Sequence, residues 1–165
     1  MQRFLAALLM IGVATLGHAQ TAPAAKPDFS GSWKLNVGKS DFGQVPPPSS
    51  ETDVVAQTGD DFKVAVTQSG QVGDQNYRLT FEAGGVESPV ADNSFAANSE
   101  FKIVSSKAEW VGATLVLTHK AIYQGGALDI STRWTLSDDG KVMTKITSYS
   151  LNEGNFVTTT IFEKS

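Results

Sequence analysis

The stretch FSGSWKLN, residues 29–36, decides the fold. Phe29, Gly31, Trp33 and Leu35 fall on one parity, and Ser30, Ser32, Lys34 and Asn36 on the other. That is the period-two alternation of a half-buried strand. A glycine inside such a strand marks a bend or the close approach of another group. Trp33, two residues on, points to the same face as Gly31. A bent first strand that lays an indole across the floor of a barrel uses both residues.

Outward from this stretch the chain reads as strands and turns. Candidate strands span 51–57, 62–68, 76–83, 100–110, 114–121, 127–137, 141–150 and 155–163. With 29–36 they make nine, and a short one near 86–91 makes ten. Turn signals such as Gly59-Asp60-Asp61, Gly125-Gly126 and Asp138-Asp139-Gly140 separate them at roughly ten-residue spacing, the mark of an antiparallel sandwich or barrel. Val37 to Phe42 is at most one helical turn, and the three prolines of QVPPPSS (44–50) mark an extended crossing that cannot donate to a sheet. The expected class is all-β, with no long helix.

Most strands have one apolar and one wet face. Phe62, Val64 and Val66 oppose Lys63; Tyr77, Leu79 and Phe81 oppose Arg78 and Glu82; Leu128, Ile130, Thr132, Trp134 and Leu136 oppose Asp129 and Arg133. Such sheets cover a single interior. In 100–110 the parity slips, with Phe101 and Ile103 on one side and Ala108 and Trp110 on the other. A β-bulge near Val104 to Ser106 reconciles the two halves.

Ahead of the barrel, Arg3, the apolar run 4–16 and the small-residue site Gly17-His18-Ala19 form a secretory signal peptide. Cleavage after Ala19 makes Gln20 the mature N-terminus and places the protein in the periplasm or outside the cell. Residues 20–28 read as a flexible Ala/Pro leader and 29–165 as one barrel domain. There is no cysteine, so an exported chain of this kind relies on packing rather than disulfides. The net charge is −4 and no basic block occurs, which argues against nucleic acid and anionic membrane as partners. Charged residues on the outward faces argue against a barrel embedded in lipid.

Gly31-Ser32-Trp33 matches the G-x-W motif that calycins, the lipocalins and intracellular lipid-binding proteins, carry near the mature N-terminus. The C-terminal third resembles the end of a fatty-acid-binding protein. The resemblance runs through Ala108-Glu109-Trp110-Val111-Gly112-Ala113-Thr114-Leu115-Val116, Trp134 ahead of Asp138-Asp139-Gly140-Lys141, and a Thr-rich last strand ending Phe162-Glu163-Lys164. The run 29–42 also resembles secreted bacterial lipocalin-like proteins. The resemblance covers 29–165 and implies an up-and-down barrel of eight to ten strands holding an apolar molecule. Two departures matter. Fatty-acid-binding proteins clamp a carboxylate with R-x-Y on the last strand, where Thr160 and Phe162 stand here. Lipocalins stack a late arginine on the G-x-W tryptophan, and the last strand here has none. The scaffold carries over; the specificity for acids does not.

Nothing in the chain spells a reaction. His119 is the single histidine left after processing, no Gly-x-Ser-x-Gly elbow is present, and no ligand set converges on a metal. The paired glycines read as turns, not phosphate loops, so no cofactor is expected. The expected function is non-enzymatic binding of a small, neutral, apolar ligand. Parity selects Tyr77, Phe81, Phe101, Leu117, His119, Ile130, Thr132, Trp134, Phe156 and Thr160 as candidate lining, with Gly31 and Trp33 closing the barrel. Arg78, Arg133, Lys34, Lys63, Lys102 and Lys120 fall outward, while Lys145 lies on a strand that alternates poorly and takes no side. The lining is then almost neutral. The alternative is a barrel with a filled interior that binds another protein, as a protease inhibitor or an envelope accessory. The export expectation is checked by mass spectrometry of the exported form, which should lack residues 1–19; intact Met1 in a washed membrane fraction would contradict it.

Overall fold

A computed structural model describes residues 25–71, 73–89, 101–152 and 154–165. The signal peptide expected at 1–19 lies outside the described residues, as do residues 20–24 of the leader. The described residues form ten antiparallel strands: β1 (Gly31–Leu35), β2 (Ser50–Thr58), β3 (Asp61–Gly70), β4 (Gly73–Glu82), β5 (Ser88–Pro89), β6 (Phe101–Val111), β7 (Thr114–Tyr123), β8 (Gly126–Leu136), β9 (Val142–Leu151) and β10 (Gly154–Lys164). A single 3-10 turn, Val37–Lys39, follows β1. Among the described residues no helix is long and apolar enough to cross a membrane.

The strands make one curled sheet in the order β4-β3-β2-β1-β10-β9-β8-β7-β6-β5. Between β7 and β8, Gln124 and Gly125 both take positive φ (50° and 79°), the twist that a two-residue hairpin turn needs. β1 joins the two halves, pairing Trp33 with Asp53 of β2 on one side and with Lys164 of β10 on the other. The sheet ends are β4 and the two-residue β5, and among the described residues β4 and β6 share no ladder. They are tied just past β4 by a bridge between Gly84 and Glu109 and by the Gly85 N–H, which donates to the Ala108 carbonyl at 2.8 Å. The bulge expected in β6 is present: Ile103 pairs with Ala121 and Ser105 with Lys120, and the extra residue, Val104, is exposed.

The glycine of the opening stretch now has its reason. Gly31 takes φ +135°, where a side chain is strained. A Cβ there would stand 2.8 Å from Cε of Lys164. The Lys164 side chain crosses this bare backbone and sets its ammonium 5.1 Å from the centre of the Trp33 ring. The cation on the G-x-W tryptophan is thus a lysine at the end of the last strand. Trp33 is 0% exposed, and its indole N–H donates to the Phe29 carbonyl at 2.8 Å.

Above Trp33 lies an apolar cluster in which Phe29, Phe62, Leu115, Met143 and Phe162 are all but fully buried. Its rings make tilted, stacked and edge contacts: Phe29 meets Trp134 at 5.8 Å and Phe62 stacks on Phe81 at 5.0 Å. A smaller cluster of Ile103, Ala121, Leu128 and Ile130 packs with Phe101, Tyr149 and Leu151. Residues 26 and 27, read from sequence as the end of a flexible leader, are docked. Lys26 pairs with Asp60 at 2.6 Å, and the Gln57 amide donates to the Pro27 carbonyl at 3.1 Å. Polar partners brought in by β2 and the β2–β3 turn supply what apolar area does not. Trp33→Ala removes a large buried ring and is expected to cost about 3–5 kcal/mol in denaturant unfolding. A loss below about 1 kcal/mol would mean that the ring does not hold the barrel floor.

Candidate functional site: a polar cavity between two apolar clusters

Between the two clusters the interior is hollow. A cavity of about 500 Å³ is lined by β2 (Glu51), β3 (Gln68), β4 (Tyr77, Leu79), β7 (Leu117, His119), β8 (Thr132, Trp134), β9 (Lys145, Thr147, Tyr149) and β10 (Thr158, Thr160). The crossing from β1 to β2 lies over it, contributing Phe42, Val45 and Pro46 to Pro48. That crossing has no ladder of its own, as three prolines require. It is anchored at its start, where Asp41 and Thr159 exchange backbone hydrogen bonds at 2.7 Å, and at its end, where Ser49 N–H donates to the Ser69 carbonyl at 2.8 Å. A second hollow of about 600 Å³ lies between β4 and β5–β6, beside the unladdered seam, and shares Leu79, Leu117 and His119 with the first.

The chemistry of the cavity is set by one buried ion pair. The ammonium of Lys145 bonds Oδ2 of Asp53, with side-chain exposures of 12% and 0%. The same ammonium sits 4.2 Å from the centre of the Trp134 ring and 4.4 Å from that of Phe162, so aromatic faces and a carboxylate share its charge. The other oxygen of Asp53, Oδ1, is buried without a hydrogen-bond partner. A second carboxylate, Glu51, is two residues away on the same face of β2 and accepts from the Gln68 amide at 2.8 Å. Burial pushes the Glu51 carboxyl above its ordinary 4.5; Lys145 pulls it down and Asp53 pushes it further up. Burial likewise raises the Tyr77 and Tyr149 hydroxyls and lowers the His119 imidazole, which shares a 2.7 Å hydrogen bond with Ser106. Thr132 and Thr147 face each other at 3.1 Å.

Six of the ten residues chosen by parity line this cavity: Tyr77, Leu117, His119, Thr132, Trp134 and Thr160. Phe81 lines the second hollow instead. Phe101, Ile130 and Phe156 line neither. Phe101 and Ile130 belong to the smaller apolar cluster, and Phe156 stacks on Tyr149 at 4.5 Å. Parity gives the face of a sheet but not the height along the barrel, so it cannot separate wall from core. Arg78, Arg133 and Lys34, Lys63, Lys102 and Lys120 are exposed, as their parity requires.

The almost neutral lining is corrected: three charged side chains lie inside. Lys145 shares its face of β9 with Met143, Thr147, Tyr149 and Leu151, and Glu51 and Asp53 share theirs with Val55. The signal was the parity of those apolar neighbours. Only the partner, 92 residues away in sequence, makes a charge tolerable there.

The raised Glu51 value has a consequence for stability. Above pH 4.5 the unfolded chain releases this proton while the folded chain still holds it, so wild-type stability falls as pH rises from 4.5 through the raised folded value. Glu51→Gln keeps an acceptor for Gln68 and has no such proton. Its stability relative to wild type is therefore expected to increase between pH 4 and pH 7 in parallel urea titrations; a difference that stays flat would place Glu51 in water.

No family model matches the chain, and no significant match occurs among curated proteins. Solved structures do match. Zebrafish ileal bile acid-binding protein, complexed with cholic acid, superposes with a TM-score of 0.56 at 16% identity, over 83% of this chain and 98% of its own. Secretory abundant heat soluble protein 4 from Ramazzottius varieornatus gives 0.55 at 12% identity, over 88% and 99%. The Schistosoma mansoni fatty acid binding protein, in complex with arachidonic acid, gives 0.50 at 15% identity, over 83% and 96%. The fold is therefore the antiparallel β-barrel that these structures share.

Proposed function

We propose that the protein is an exported, non-enzymatic binding protein that holds a small apolar ligand, neutral rather than anionic, in the cavity between Tyr77, Trp134, Lys145 and Tyr149. The observation that carries this reading is a hollow of about 500 Å³ inside the barrel, where Phe42, Leu79, Leu117 and Trp134 give apolar wall and threonines, tyrosines and charged groups give polar atoms to fix a ligand's orientation. Two of the similar structures are named for binding a bile acid and a fatty acid, which supports a ligand-binding barrel. Export rests on the signal peptide read at residues 1–19. A filled barrel that binds another protein is the weaker reading, because the interior is not filled.

The preference for a neutral ligand follows from the ion pair. Lys145 is the one cation lining the cavity among the described residues, and Asp53 already holds it. An entering carboxylate would have to displace Asp53, leaving a buried charge unpaired, or sit beside Glu51 and Asp53 with no cation of its own. Either course costs several kcal/mol. The hydroxyls of Thr132, Thr147 and Thr160 can hydrogen-bond a neutral oxygen without disturbing the pair. Titration of dodecanol and dodecanoate at neutral pH, by displacement of an apolar fluorophore, is expected to favour the alcohol by tenfold or more, about 1.4 kcal/mol per tenfold. Tighter binding of the acid by tenfold would mean that Lys145 gives up Asp53 for the ligand, and would overturn the preference.

A further inference from the structure

With Glu51 ionised, the charges inside the barrel do not balance. The titratable groups that line the cavity are Glu51, Lys145, His119, Tyr77 and Tyr149, with Asp53 behind Lys145. The tyrosines and the imidazole are neutral when their values are displaced as burial displaces them. One cation then meets two carboxyl groups. Lys145 neutralises Asp53, and Glu51, which accepts from the Gln68 amide and shares a side-chain hydrogen bond with Asp53, has no ammonium of its own at hydrogen-bond distance among the described residues. The orphaned Oδ1 of Asp53 adds a second acceptor that the protein leaves unmet.

On the reading that the cavity binds an apolar ligand and takes a neutral head group before a carboxylate, we propose that a protonated amine binds tighter than either, with Glu51 as the counter-charge. An ammonium at Glu51 would complete a second carboxylate–ammonium pair beside the first. The site has already removed Glu51 from water, so the ligand meets a desolvated carboxylate rather than having to dehydrate one. A buried charge lacking its partner is the costly state, and the partner relieves it. Lys145 shows how this interior holds such a group: a carboxylate on one side and aromatic faces on the others. A neutral alcohol offers Glu51 one hydrogen bond and no charge, and a carboxylate adds a third negative group. The expected order is amine, then alcohol, then acid.

Dodecylamine and dodecanol, titrated at neutral pH by fluorophore displacement, test the order on the full mature chain. The amine is expected to bind at least tenfold tighter than the alcohol in the wild type. In Glu51→Gln the ratio should fall to near one. In Asp129→Asn, which removes a surface charge from the outer face of β8, it should stay as in the wild type and so exclude adsorption of the amine to an acidic surface. If neither compound binds, the binding-barrel reading itself fails. If the alcohol binds and the amine binds no tighter, that reading stands and the amine proposal is overturned by the wild type alone, whether or not the variant folds. A preference that survives in Glu51→Gln, or disappears in Asp129→Asn, also overturns it.

Discussion

The five residues of β1 join the two halves of the barrel sheet. One edge of β1 pairs with β2 and the other with β10, so the meander of β2–β4 is joined to that of β6–β10 through this short strand. So short a ladder is held by what lies on it. Trp33 is fully enclosed, its indole hydrogen-bonded to Phe29 and its ring capped by Lys164 across the bare backbone of Gly31. The aromatic cluster above it draws Phe62 from β3, Trp134 from β8 and Phe162 from β10 into one packed end. With this end filled, the space between it and the smaller cluster can be left hollow without loss of the fold.

The hollow is a consequence of polarity as much as of shape. Thr132, Thr147, Thr158 and Thr160, with Glu51 and Lys145, bring hydroxyls and charges to positions where the clusters on either side have rings and aliphatic chains. Those atoms cannot be pressed together dry without losing hydrogen bonds. A buried pair such as Lys145–Asp53 is a weak source of net stability, since well-packed apolar residues of similar volume serve a fold as well or better. Its presence, with a second carboxylate beside it, marks a part of the interior shaped for something other than packing.

The strands were legible because period-two alternation is a local signal. Ten strands, the bulge in β6 and the burial of Trp33 follow from neighbours within a few residues of one another. The polar centre of the cavity was not, because it is made by residues that only the closed sheet brings together. Asp53 and Lys145 meet across the barrel, and Lys145 stands opposite Thr160 in the β9–β10 ladder. Parity could have put Glu51 and Asp53 inside with Val55, but a carboxylate on an apolar face has no meaning until its cation is known. The division of Tyr77 and Thr132 from Ile130 and Phe156, one set on the cavity and the other off it, depends on depth along the barrel, which a sequence pattern does not carry.

Depth and pairing also explain why likeness of fold does not carry likeness of interior chemistry. The barrel is retained at 12–16% identity to its structural neighbours because closure needs only inward apolar residues, outward polar ones and a sealed end. Head-group chemistry needs particular charges, and any inward position on any strand can supply one. The resemblance to fatty-acid-binding proteins puts an arginine and a tyrosine where this chain has Thr160 and Phe162, and here Phe162 belongs to the packed end while the interior cation comes from the adjacent strand. That cation arrives with its own carboxylate. An arginine open to the lumen is a free cation; a lysine already bound to Asp53, with Glu51 nearby, is not.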